Sequence, residues 1–167
     1  MGKFLKLGVS VGDPNGIGLE IIIKAFLHQK TLNEFTAIVY SNVEIIEFHL
    51  AHLKLDLEIN VIKSISESLN GKLNVFEISS SNFKVDFGKS SRQSGDIAFR
   101  SLITASKHII ENKIDCLVTA PIDKNTIQSK NFEFNGHTEY LTKISNKVFC
   151  LYFFITFAGY LTEFNLA

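Results

Sequence analysis

The chain of 167 residues lacks a charge of one sign: Lys and Arg total 17, and so do Asp and Glu. A balanced chain has no basic field for nucleic acid and no acidic solvating arm. It is poor in cysteine, with only Cys116 and Cys150. Their separation matches no metal-binding spacing, and two buried free thiols in a reducing compartment are expected. No run of about 20 apolar residues is present, the length a membrane-spanning helix needs. The start, MGKFLKLGVSVGD, does not have the form of a secretory signal. Its apolar part is short, alternates with polar residues and ends in Gly-Asp-Pro. Gly2 does not begin a myristoylation signal, because Leu5-Lys6 stands where Ser or Thr is wanted.

What is present is apolar material. Hydrophobic residues make up 46%, enough for a substantial core and too much for disorder. Lys3–Val11 alternates like a buried strand, and Leu19–Leu27 is apolar nearly all round, as in a helix packed on several sides. Phe35–Tyr40 reads as a strand and Asn42–Leu53 as a helix. Leu57–Ile62 and Leu73–Ile78 read as strands with a turn at LNGK, and Phe83–Phe87 as a short strand between polar loops. Asp96–Glu111 is amphipathic, with Phe99, Leu102, Ile103, Ile109 and Ile110 on one stripe. Ile114–Thr119 is a short strand, followed by a short helix and then one beginning near His137 or Thr138. Strands alternating with helices predict an α/β fold with a largely parallel sheet. Val148–Thr162 is uncharged and rich in aromatics, and reads as buried strand material or, less simply, a membrane segment.

Three stretches carry chemical information. The first is GDPNGIGLEI from Gly12. Its glycines could expose N–H groups to an anion at a helix start. They could equally let the chain turn a sharp strand-to-helix corner. The spacing is that of neither the dinucleotide fingerprint nor the P-loop. Asp13 could cap the helix or face a ligand, and Glu20 favours the positive helix end. The second stretch is TAPIDKN, after a short strand, where α/β sheets place their ligand crevices. Thr119, Asp123 and Lys124 could meet a substrate there, or the last two could be a solvated pair. The third is GHTEYL, where His137 and Thr138 at a helix start suit a carboxylate or phosphate. The bland alternative is a Thr138 cap beside an exposed His137.

The remaining histidines carry less. His28 is expected to end a helix, where its charge would favour the dipole. His49 and His52 share one helix at a spacing that could hold a metal, though without an evident third ligand. His108, opposite Phe99, is expected to be solvated.

Together, GDPNGIGLEI, VTAPIDK and NGHTEYL resemble the 4-hydroxythreonine-4-phosphate dehydrogenase family of vitamin B6 biosynthesis, over about residues 3–145. The resemblance is to the family's amino-terminal half. It implies a two-lobed fold similar to isocitrate and isopropylmalate dehydrogenases, with a mixed, largely parallel sheet. It implies NAD-dependent oxidation and decarboxylation of 4-phosphooxy-L-threonine, a divalent metal (Zn, Mg or Co), a cytoplasmic homodimer, and no nucleic acid or membrane partner. The family's substrate-contacting pair falls on His137 and Thr138, and the glycine motif implies mainly a corner. The family's Pro before Glu20 is Leu19 here, and its Asn before Lys124 is Asp123.

The family's metal-binding histidines come after the His-Thr motif, and no histidine follows His137. Residues 1–147 are therefore expected to be the amino-terminal part of the dehydrogenase fold, without metal ligands. Residues 148–167 are expected to be an atypical tail, from truncation or a changed reading frame. The alternatives are a non-catalytic remnant and a phosphate-ligand binding module.

Overall fold

The computed structural model describes residues 4–79, 82–128, 132–134 and 136–145. The tail over 148–167, with Cys150, lies outside them. Five strands form one sheet: β1 (Leu5–Ser10), β2 (Phe35–Ser41), β3 (Ile59–Ile62), β4 (Leu73–Glu77) and β5 (Cys116–Thr119), in the spatial order β3-β4-β2-β1-β5. Every pairing among them is parallel, so the expected mixed character is absent among the described strands. The register sets Leu7 opposite Ala37 and Cys116, and Ile38 opposite Asn74.

Strand β2 is buried from Thr36 to Ser41, which is why its sequence is a continuous run. Alternate residues reach opposite faces. Ala37 and Val39 join one core with Leu19, Ile22 and Phe26 of helix α1 (Gly18–Phe26), Leu32 of α2 (Gln29–Glu34), and Ile45 and Ile46 of α3 (Val43–Leu53). Ile38 and Tyr40 join a second core with Ala105 of α4 (Arg92–Ile110), Ile114, and Ile65 of a 3₁₀ turn at Ile65–Glu67. Helix α1 is more one-sided than its sequence: Glu20 and Lys24 pair across one turn at 2.5 Å on the solvent side.

Several expectations need correction. Phe83–Phe87 joins no ladder; Phe83 and Val85 pack against the first core from extended chain. Helix α4 starts at Arg92, a turn before Asp96, because Ser91 and Ser94 form a reciprocal cap. Ile103 and Ile110 lie on its exposed side, while Ser101 and Ser106 take buried positions. His108 is buried rather than solvated: its Nδ1 is 2.9 Å from the Tyr40 hydroxyl, and its ring packs edge-on against Phe76. Burial lowers the His108 pKa and raises that of Tyr40. Cys116 is an exposed thiol, because β5 pairs on one side only among the described strands. His28 does not close a helix but stands at the N-cap position of α2.

The chain divides into two compact units, Met1–Glu133 and Phe134–Ala167. The first holds the sheet, α1 to α4 and the short α5 (Lys124–Ile127); the second holds α6 (His137–Ser145).

Candidate active site

The loops after β1 and β5 meet at the carboxyl edge of the sheet. Strand β1 lies between β2 and β5, so the connections diverge there, where doubly wound sheets open their crevice. Here that place is closed by backbone. The Asp13 N–H donates to the Pro121 carbonyl at 2.9 Å. Gly12 has φ +66°, and a Cβ on it would lie 2.0 Å from the Pro121 oxygen. Glycine is required on both counts. Gly18 is similarly tight, with a Cβ position 3.0 Å from the Val11 oxygen.

Three of the corner's N–H groups are committed within the protein, that of Asp13 to Pro121 and two to Asp13. The Gly16 N–H donates to the Asp13 carbonyl (3.0 Å) and the Asn15 N–H to Asp13 Oδ1 (3.0 Å). Asp13 therefore holds the turn itself and makes no side-chain cap on α1. The glycine motif is a packed corner.

Asn15 extends the corner to the chain leading into α4. It is 3% exposed. Its Oδ1 accepts from the Asp86 N–H (2.9 Å), its Nδ2 donates to the Lys89 carbonyl (2.7 Å), and its own carbonyl accepts from the Gly88 N–H (2.9 Å). One residue later in the clamped segment, the Ser90 hydroxyl donates to Asp123 Oδ2 at 2.5 Å. Asp123 also caps α5, accepting from the Asn125 N–H at 2.9 Å. These bonds, the Ser90 hydroxyl first, lower the Asp123 pKa. Asp123 is neither a free ligand group nor half of a pair with Lys124. Thr119 closes β5, half-buried, and Lys124 opens α5 on the surface. Asn15, which ties these loops, was not singled out by sequence reasoning; a buried Asn inside a glycine turn leaves no periodic signal.

His49 lies in α3 with 1% exposure. Its Nδ1–H donates to the Ile45 carbonyl at 2.9 Å, and the Pro14 backbone also interacts with the ring. Burial lowers its pKa. His52 is exposed, its ring centroid 4.7 Å from that of Phe87. Among the described residues no three of His, Cys, Asp and Glu converge as metal ligands, so the residues present do not fit a divalent cation.

In the second unit, His137 opens α6 and Thr138 follows it. The Tyr140 N–H donates to the Gly136 carbonyl (3.3 Å), and Phe134 packs edge-on against Tyr140 while Lys143 lies over its ring. His137 is not the exposed residue of the bland alternative. Its Nε2 is buried and without a partner, and desolvation brings its pKa down to about 4. It is a neutral imidazole at neutral pH, able to exchange hydrogen bonds with a bound group.

The sequence profile of the family described as "Pyridoxal phosphate biosynthetic protein PdxA" matches residues 33–159. The chain belongs to the PdxA family. Two relatives are 4-hydroxythreonine-4-phosphate dehydrogenases. That of Bacteroides thetaiotaomicron is 35% identical, the alignment covering 82% of this chain and 38% of the relative. That of Sulfurihydrogenibium sp. is 34% identical over 84% and 43%. A putative D-threonate 4-phosphate dehydrogenase of Fusobacterium nucleatum is 29% identical over 84% and 43%. The crystal structure of a 4-hydroxythreonine-4-phosphate dehydrogenase from Burkholderia phymatum superposes with a TM-score of 0.79 at 23% identity. That match covers 87% of this chain and 44% of the other. It shows the fold, the isocitrate/isopropylmalate dehydrogenase-like one expected from the motifs. The chain thus spans about two-fifths of the length of the curated PdxA relatives it matches. Among the described residues no helix is long and apolar enough to cross a membrane.

Proposed function

We propose that this PdxA-family chain is the amino-terminal part of an NAD-dependent 4-hydroxythreonine-4-phosphate dehydrogenase of pyridoxal phosphate biosynthesis. Residues 1–147 would form that part, and 148–167 a tail of different character. The observation that carries the reading is the profile match over 33–159, joined to two relatives of that name at 34–35% identity. The assembled enzyme would be a cytoplasmic homodimer acting on a phosphorylated amino acid.

The role assigned to this chain is to frame the substrate. His137 and Thr138 are its substrate-contacting residues. The buried, unpartnered Nε2 of a neutral His137 supports this, because such a nitrogen gains most from a ligand hydrogen bond. The corner at Gly12–Gly18 and the Asn15 clamp would hold the loops at the carboxyl edge of the sheet in place. Nicotinamide would supply the hydride acceptor and the metal the electrophile. No metal-ligand cluster occurs among the described residues, and we assign both groups to sequence that the longer relatives carry and this match does not cover.

The test is NADH formation from 4-phosphooxy-L-threonine by a protein of the relatives' full length that carries this segment. Turnover is expected there, and none from the 167-residue chain with added zinc or magnesium. His137→Ala in the longer protein should lower kcat/KM by about 10- to 100-fold, the worth of one charge-assisted hydrogen bond. Preference for D-threonate 4-phosphate would overturn the substrate assignment. Turnover by the short chain alone would overturn the division of labour.

A further inference from the structure

A cleft of about 270 Å³ lies in the first unit, between the chain after β4 and the first turns of α4. Gln93, Asp96, Ile97 and Arg100 line it, at the spacing that puts four side chains on one helix face. Asn82 and Phe83 line the other side. The floor is apolar: Ile97 is buried and Phe83 packs against the first core. The rim is polar and uncommitted. The side chains of Asn82, Gln93, Asp96 and Arg100 make no hydrogen bond or ion pair with another described residue.

Size and charge restrict what fits. Sites for drug-sized ligands run from about 300 to 1,000 Å³, so this cleft suits a small metabolite and not a dinucleotide. It presents one guanidinium and one carboxylate. A phosphate or dicarboxylate would place negative charge against Asp96 with a single cation in compensation. A simple amine would leave Arg100 without its counter-ion. A small molecule carrying both charges satisfies both ends, with its carboxylate on the Arg100 fork and its ammonium on Asp96. Its short side chain would meet Phe83 and Ile97.

We propose that this cleft binds a small, unphosphorylated α-amino acid as a zwitterion. The proposal draws on neither His137 nor Thr138, so the dehydrogenase reading can fail without it, or the reverse.

The experiment follows backbone amide NMR shifts of the 167-residue chain during titration with L-serine. O-phospho-L-serine, propionate and ethylamine are the controls. Saturable shifts confined to Asn82, Phe83 and Gln93–Arg100 are expected, with millimolar affinity for L-serine. Each control should bind at least about 10-fold more weakly, through loss or reversal of one charged contact. Arg100→Gln and Asp96→Asn, each a polar change that removes one charge from an exposed side chain, should each weaken L-serine by a similar factor. The unchanged remainder of the spectrum reports that the variants are folded. Absence of saturable shifts with L-serine overturns the proposal. So does propionate or O-phospho-L-serine binding as well as L-serine, or affinity unmoved in both variants.

Discussion

Asn15 shows how one polar side chain can fix a loop that no regular element supports. Both ends of its amide are occupied, by the Asp86 N–H and the Lys89 carbonyl. Asn15→Ala would strand those two groups beside a buried position, at a cost of about 1–3 kcal/mol. The expected readouts are a lower denaturation midpoint and faster hydrogen exchange at the Asp86 amide. Exchange there unchanged from wild type would refute the clamp. The histidines make a second prediction. Burial lowers the pKa values of His49 and His108 from the ordinary 6.5, and that of His137 to about 4. Well above pH 6.5 these rings are neutral both folded and unfolded, and stability is full. As the pH falls further, the unfolded chain binds protons that the folded one resists. Stability should therefore decline between about pH 6.5 and about pH 5, before most carboxylates titrate. Urea midpoints across that interval check this, and a flat profile would contradict it. Neither case leaves a signal in the spacing of residues along the chain. His108 sits on the helix side that its apolar spacing marked as solvent, and it is buried because the Tyr40 hydroxyl needs a partner there.

Among elements, α4 illustrates the limits of periodicity. Its existence was legible from its apolar spacing, but its start was set by Ser91, a serine among other serines. The face it buries is lined with Ala98, Ser101, Ala105 and Ser106, small residues that allow close approach and carry little hydrophobic signal. Ser101 even serves as a bridge, donating to the Tyr40 carbonyl at 2.6 Å and accepting from the Val11 N–H at 3.0 Å. Gly95 is the tightest contact: a Cβ there would lie 2.0 Å from the Thr126 carbonyl oxygen in α5. In an isolated helix Gly→Ala gains up to about 1 kcal/mol. Here the clash is with backbone, which cannot rotate away, so Gly95→Ala should destabilise by about 1–3 kcal/mol. Amide exchange at Asn125–Ile127 should accelerate with it. A stabilised variant would mean that α5 can move aside at no cost. Helix α2 escaped sequence reading because, among its described side chains, only Leu32 is buried in the core.

Across the whole molecule, β5 is the exposed margin of the sheet among the described strands. Cys116 is exposed and Val118 is 49% exposed, on a strand paired only with β1. Open strand edges bearing apolar side chains invite pairing with another chain. Val118→Lys should reduce concentration-dependent self-association in light scattering without lowering the denaturation midpoint by more than about 0.5 kcal/mol in stability terms. Unchanged association would place the sticky surface elsewhere.

By itself, the sequence determined the α/β class, all five strands to within two residues at each end, and the family through three ordered motifs. These are local properties: apolar period, turn chemistry, and residues that stand together in the chain. Tertiary structure alone decided that the Gly12–Gly18 turn packs against Pro121. It also decided that Asp123 is held by Ser90 and that His108 lies inside. The physical reason is that each outcome turns on a partner from a distant part of the chain. A hydrogen bond or a 2.0 Å clash with such a partner has no trace in the spacing of residues along the backbone.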